Sequence, residues 1–395
     1  MHRKIYLADW ILPITSPPIP SGGLAVENGR ILQVADAATI RKNFPRFPEE
    51  NFGNAVLAPS WVNAHCHLEL SAFAGMINDF YDFPDWIRQL IALRSTVSVA
   101  ELLQSAEEAA NELAASGCVL TGDITNGDFL NPDLFSGLLE RVVFYEILGF
   151  EAFRAEGILK EAQIRKSREN KAAHIVPHAL YSTSAPLLKG IANQKERLSI
   201  HLAESIQESE FLLTGGGRFK EFLKERGVWN TRWQPPRKSP VKYLADLNIL
   251  RKDSLLVHGV QVSEPDLAEI KKSGASVCVC ARSNTKIGVG QMPLSDYLAH
   301  TIPLCIGTDS LAGNTDLDMN NEIYNLYAQN RQIEPATILR MATVNGAHAL
   351  GQSAHYGALK AGLRSRFNVF SADRKIEKEP EHFIISKSWS SLKCF

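Results

Sequence analysis

"AVLAPSWVNAHCHLELS", residues 55–71, sets two histidines one residue apart at the end of an apolar run. Side chains alternate along a strand, so His65 and His67 face the same way and can grip one ion together. Cys66 between them points to the other face and reads as packing. A catalytic metal site takes about three protein ligands and keeps one position open. The pair is therefore incomplete, and the rest of the chain must supply the remaining donors.

Working outward, the same kind of apolar stretch ending in a chemically able residue recurs along the chain. "CVLTGD" ends at Asp123, and "RVVFYEILG" carries Glu146. "AHIVPHAL" carries His178, "LSIHLAE" His201 and "SLLVHGV" His258. "ASVCVCARS" runs to Arg282 and Ser283, and "IPLCIGTDS" carries Asp309. Helical segments separate them. The clearest is "SVAELLQSAEEAANELAASG", with Ser98 as N-cap, Glu101 completing a capping box and Gly117 as the stop. Near-continuous apolar strands alternating with helices indicate a parallel sheet covered on both sides. With residues 55–67 the strands number eight, which predicts a TIM (β/α)8 barrel, the fold whose catalytic groups sit at the C-terminal ends of its strands. His201 and Asp309 lie at such ends and can complete the shell begun by His65 and His67, with nitrogen and oxygen donors suited to zinc or another borderline divalent metal.

The two ends of the chain differ from this middle. "KIYLADWILPI", "GGLAVENGRILQVA", "SRFNVFSADRKI" and "HFIISKSW" are short strand candidates separated by turn-rich segments. They predict a small β-sandwich domain from residues 1–55 plus 360–395, beside a barrel domain at 56–359. At 395 residues the chain exceeds a usual single core, in keeping with a large unit and a smaller one. A formal net charge of −1 gives no general attraction to nucleic acid or to an anionic membrane, leaving a small-molecule partner. No apolar run approaches a membrane span, and the first twenty residues lack a signal-peptide pattern, so the chain is expected in the cytoplasm. The six cysteines include no C-x-x-C and read as reduced core thiols.

"PSWVNAHCHLELS", "HLAES", "LVHGV", "ARSN", "IGTDSLAGN" and "ATVNGAHALG" together resemble the deaminase and chlorohydrolase-like branch of the amidohydrolase superfamily. The resemblance implies that His65, His67, His201 and Asp309 ligate one divalent metal, zinc first, with iron(II) and manganese(II) as alternatives. It implies that Glu204 shuttles a proton and that His258 orients and activates the water. Two-metal relatives often carry a bridging lysine where this chain has His178, so one ion is expected. The implied reaction is hydrolytic deamination. Hydroxide adds to a ring carbon bearing an amino group, Glu204 protonates the neighbouring ring nitrogen, and Asp309 passes a proton to departing ammonia. The other zinc-deaminase pattern, H-x-E with P-C-x-x-C, is missing from the sequence.

For substrate contacts the resemblance points to His178, to Ser283 and Asn284 in "ARSN", where the family has proline at the position of Ala281, and to a lid helix within "AGMINDFYDFPDWIRQLIALR". There Trp86 can stack on a purine, and Arg88 or Arg94 can pair with a carboxylate. "FPDWIRQLIALR", "YEILGF" and "GGGRFKEFLKERG" are further similar to the subgroup acting on aminodeoxyfutalosine in menaquinone biosynthesis, an adenine nucleoside carrying a benzoate. S-adenosylhomocysteine, methylthioadenosine, guanine and chlorotriazines are the alternative substrates, and a homodimer is the expected assembly. A non-catalytic structural protein on the same fold would show gaps in the ligand set, and this sequence shows none. His2, His174, His300, His348, His355 and His382 have no ligand partner nearby in sequence.

Overall fold

The apolar run at 55–71 is split at Ser60 between two sheets. Strand β5 (Ala55–Pro59) belongs to a sheet built from the chain ends, and β6 (Trp61–Cys66) to a parallel sheet in the middle. These are features of a computed structural model that describes residues 3–137, 139–376 and 379–395; His2 lies outside them.

The end sheet has seven strands: β1 (Arg3–Ile11), β2 (Ile19–Glu27), β3 (Arg30–Asp36), β4 (Glu49–Asn51), β5, β14 (Phe367–Ser371) and β15 (Ser391–Cys394). Their order is β15-β14-β5-β1-β2-β3, with β4 also on β1. The two ends are joined where β14 runs antiparallel to β5, Val369 opposite Leu57. The sandwich expected here takes the form of one sheet with apolar contacts on both faces. Ile5 and Leu7 pack with Ala25 and Ile40, whereas Tyr6 and Ala8 pack with Leu24 and Phe367, the period of two that a strand imposes. One expectation is corrected. "HFIISKSW" forms a helix, Pro380–Ile385, because Pro380 stands at its first turn, where a fixed φ and a missing N–H favour a start. The last strand falls later, at Ser391–Cys394.

The middle of the chain forms two four-stranded parallel sheets. One runs β6, β7 (Cys118–Thr125), β8 (Glu140–Ile147), β9 (His174–Pro177), and the other β10 (Leu198–Leu202), β11 (Ser254–His258), β12 (Ser276–Val279), β13 (Leu304–Ile306). Single parallel bridges link their outer strands, Ala179 to His201 on one side and Cys66 to Asp309 on the other. One core cluster draws Val62, Leu120, Phe144, Val176, Val257 and Cys278 from both sheets. The helix expected at 98–117 is present as Val99–Ala115. The Ser98 hydroxyl accepts the Glu101 N–H and the Glu101 carboxylate accepts that of Ser98. Gly117 follows at φ +89°, and a Cβ there would fall 2.4 Å from the Asn368 side chain, so chain reversal and the seam with the end sheet both require glycine. No helix among the described residues is long and apolar enough to cross a membrane.

Candidate metal centre and its pocket

His65 lies at the end of β6 and His67 just beyond it, and His201 lies at the end of β10. The ring nitrogens of the three lie within 4.8 Å of one another, with His67 Nε2 3.3 Å from His201 Nε2. Asp309, just beyond β13, puts Oδ1 3.7 Å from Nε2 of both His65 and His67. Two donors each about 2.1 Å from a tetrahedrally bound ion stand roughly 3.4 Å apart, so this spacing matches a shared cation. Neither ring nitrogen of buried His65 has a hydrogen-bond partner. An orphaned polar group of this kind costs about 1–3 kcal/mol, a penalty that a bound cation removes. Burial, and after it the neighbouring imidazoles, pushes His67 and His201 well below the usual histidine range, leaving neutral rings with lone pairs to offer. Asp309 is raised by burial but held well below the usual carboxylate range by the histidines around it, so it is ionised. Three neutral imidazoles and one carboxylate fit a single borderline divalent ion.

Local structure sets this geometry. Gly307 follows β13 where a Cβ would lie 2.9 Å from both Cβ and O of His65, so only glycine lets the two strands come together. Asn63 and Thr308 lock the same pair, Asn63 Nδ2 donating to the threonine hydroxyl at 2.7 Å and Thr308 N to Asn63 Oδ1 at 3.1 Å. Three non-glycine residues at this end adopt left-handed backbone: Ala203 at φ +52°, His258 at +75° and Asp309 at +59°. Such conformations persist only where the surroundings enforce them, and they gather at functional sites.

Glu204 lies beyond β10, with Oε1 3.4 Å from His258 Nε2. Burial first, then the charges of Asp309, Glu208 and Glu146, raises its carboxyl well above the usual range, which favours the protonated form. His258 is drawn down to about 4, chiefly by burial, and is neutral. Its Nδ1 donates to Asn284 Oδ1 at 2.8 Å, which turns Nε2 toward Glu204.

These groups form the floor of a cavity of about 150 Å³ roofed by the helix Phe83–Arg94. Trp86 and His178 line it, as expected of substrate contacts. Burial takes His178 down to about 4, and its Nδ1 meets the Ser182 hydroxyl at 2.7 Å. Ser283, Asn284 and Arg88 are not among the lining residues. Ser283 donates to Asp309 Oδ2 at 2.6 Å and Asn284 accepts from His258, so both hold side chains of the candidate site. Arg88 points outward to Glu225, Nε to Oε2 2.6 Å, and lies over the Phe222 ring. Arg94 does line the cavity. Helical periodicity carries the signal: at 100° per residue Arg88 stands about 200° from Trp86 and Arg94 about 80°, so fixing Trp86 inward selects Arg94. Glu146, Asn126 and Tyr181 are further lining residues. Burial raises Glu146 to about 7, and only its position at a strand end marks it in the sequence. Of the remaining histidines, His300 pairs with Glu264 and His174 faces Glu196, both away from the centre.

Residues 56–391 match the profile of the amidohydrolase family. An aminodeoxyfutalosine deaminase of Deinococcus radiodurans is 26% identical over 84% of this chain and 81% of its own. A 5-methylthioadenosine/S-adenosylhomocysteine deaminase of Saccharophagus degradans is 27% identical over 92% and 82%. Among solved structures, Helicobacter pylori aminofutalosine deaminase in complex with methylthio-coformycin superposes with a TM-score of 0.85 at 21% identity, covering 99% of this chain and 97% of that one.

Proposed function

The chain belongs to the amidohydrolase family, and on that premise we propose that it is a metal-dependent hydrolase of C–N bonds that deaminates an adenosine-like compound, best matched by aminodeoxyfutalosine in menaquinone biosynthesis. We read its two parallel sheets as one closed (β/α)8 barrel, with the linking bridges as the closure. The observation that carries the reading is one cavity lined by His67 and His201 of the three-histidine cluster, by Asp309 and by the buried Glu204.

His65, His67, His201 and Asp309 would hold the ion, zinc by preference for this donor set, with iron(II) or manganese(II) as alternatives. When bound, such an ion supplies hydroxide near neutral pH. Glu204 then gives its proton to the ring nitrogen beside the carbon under attack, and His258, fixed by Asn284, stays neutral and orients the nucleophile. Asp309, steadied by Ser283, relays the nucleophile's proton to the leaving ammonia. Trp86 and the apolar side of the lid helix provide a face for a purine, and excluding water there strengthens every polar contact. His178 holds the substrate from the opposite side. Arg94 supplies donors for a distal carboxylate, and with the similarity of "FPDWIRQLIALR", "YEILGF" and the Deinococcus and Helicobacter proteins it supports aminodeoxyfutalosine. Methylthioadenosine or S-adenosylhomocysteine is the second reading, favoured by the Saccharophagus relative at similar identity.

Steady-state kinetics on aminodeoxyfutalosine, methylthioadenosine, S-adenosylhomocysteine, adenosine and guanine decide the substrate. The expected outcome is the highest kcat/KM on the first, and a strong preference for another rejects it. Glu204→Gln is expected to keep its metal and lose about a hundredfold or more in kcat, the scale of general acid–base catalysis; an unchanged rate removes Glu204 from its role.

A further inference from the structure

Behind His201, on the side away from the ion, lies a polar chain whose Glu146, Asn126 and Glu69 take no part in the hydrolysis described above. His201 Nδ1 donates to the carbonyl of His178 at 3.0 Å, and Glu146 Oε1 stands 3.4 Å from the same nitrogen. The ring therefore offers Nε2 toward His67 and the cation. Glu146 is itself held. Asn126 Nδ2 donates to Glu146 Oε2 at 3.0 Å and reaches its backbone carbonyl at 3.3 Å. Asn126 Oδ1 receives Arg94 Nη1 at 2.9 Å. Glu69, two residues after His67, completes the circuit. It accepts from Arg94 Nη2 at 2.9 Å, from the Thr125 hydroxyl at 2.6 Å and from Asn126 N at 3.1 Å. Hydrogen bonds thus join the segment after β6 to the lid helix and on to Glu146, whose carboxylate stands 3.4 Å from His201 Nδ1 beside the hydrogen bond that this nitrogen makes to the His178 carbonyl.

We infer that Glu146 is a positioning residue that fixes the imidazole of His201 toward the metal, and that Asn126, clamped by Arg94 of the lid, fixes Glu146 in turn. A carboxylate behind a ligating imidazole sets the ring's orientation and raises its basicity, and groups of this kind govern metal affinity about as strongly as activity. The inference rests on the metal-site reading above. Glu146 also lines the cavity, so the competing role is a direct substrate contact, and the two roles move different quantities.

The test is competition for zinc between the purified protein and a chromogenic chelator, alongside kcat and KM measured separately on the best substrate. Glu146→Gln keeps size and shape but loses the charge, and should lower zinc affinity by about 10- to 100-fold. The same variant should lose kcat while KM changes by less than about twofold. Asn126→Ala, which leaves Glu146 in place but frees it, should shift zinc affinity in the same direction by a smaller factor, and it carries the test should Glu146→Gln fail to fold. Undiminished zinc affinity in both variants, or a raised KM with kcat and zinc affinity intact, overturns the inference and makes Glu146 a substrate contact. A wild-type protein that takes up no zinc, iron or manganese overturns the metal reading itself, a result distinct from either.

Discussion

Glu208 carries no chemistry, yet it holds the residue that does. Its Oε2 accepts the Glu204 N–H at 2.9 Å from one turn into the next helix, just past the left-handed Ala203. Burial lifts its carboxyl to about 8, so in the folded protein it keeps a proton that the unfolded chain, where the group has its ordinary value of 4.5, has already released. The folded state binds more protons between these values. The contribution of Glu208 to stability is therefore full below the lower value and falls as pH rises through the window. Glu208→Gln, which cannot titrate, should give a shallower decline in urea midpoint from about pH 5 to pH 8 with activity retained. Glu208→Leu strands the Glu204 N–H and should cost about 1–3 kcal/mol in the same unfolding measurement. At this scale the candidate ligands His65, His67, His201 and Asp309 could be read from strand ends, whereas Glu204 came only from the family resemblance. The partners that aim them were not legible. Nothing in "ARSN" distinguishes a serine that touches substrate from one that steadies Asp309 across 26 positions of chain.

Among the elements, the approach of β13 to β6 decides whether the donors converge. Gly307→Ala puts a methyl 2.7 Å from Cys278 Sγ and 2.9 Å from the backbone oxygen of His65, and backbone cannot yield as a flexible side-chain tip can. The strands must part, and Asp309 moves with them. The variant is expected to fold with a lowered melting temperature and to lose zinc affinity in chelator competition, whereas full affinity would show that the strands have slack. The lid helix illustrates the other limit. Its place was expected from the family resemblance, but its rotation was not, because contacts with a neighbouring helix set it. Phe83 meets Phe219 from the helix Gly217–Glu225, Arg218 pairs with Asp82, and Arg88 with Glu225, while Trp86 turns into the cavity. The ion pair with Glu225 takes Arg88, one of the two arginines expected at the substrate, and leaves Arg94 at the cavity.

For the molecule as a whole, the alternation of strands and helices announced the α/β middle, and the β-prone ends announced their own sheet. What stayed hidden was the register. "HFIISKSW" has strand composition, and the proline before it decided for helix. We propose two units, 1–55 plus 360–395 and 56–359, that are not independent. β5 lies between β1 and β14, and Ser60 alone separates it from the strand that carries His65. Removing the flanks would leave Val56 and Leu57 without their pairing partners and delete most of the cluster against which Leu57 and Leu359 are buried. A 56–359 fragment is therefore expected to be insoluble or to lack a cooperative melting transition, and the full chain to melt in one step; a fragment that melts sharply would show the middle to be self-sufficient. The three left-handed residues around the centre set a ceiling on engineering. Each such backbone costs about 1–2 kcal/mol, and the ordinary remedy is glycine. At His258 and Asp309 that remedy would delete side chains proposed to act, so of these three only Ala203 leaves room for relief. Hardening this protein against heat has to begin elsewhere, at left-handed residues outside the pocket such as Ile14 at φ +72° and Thr301 at +54°.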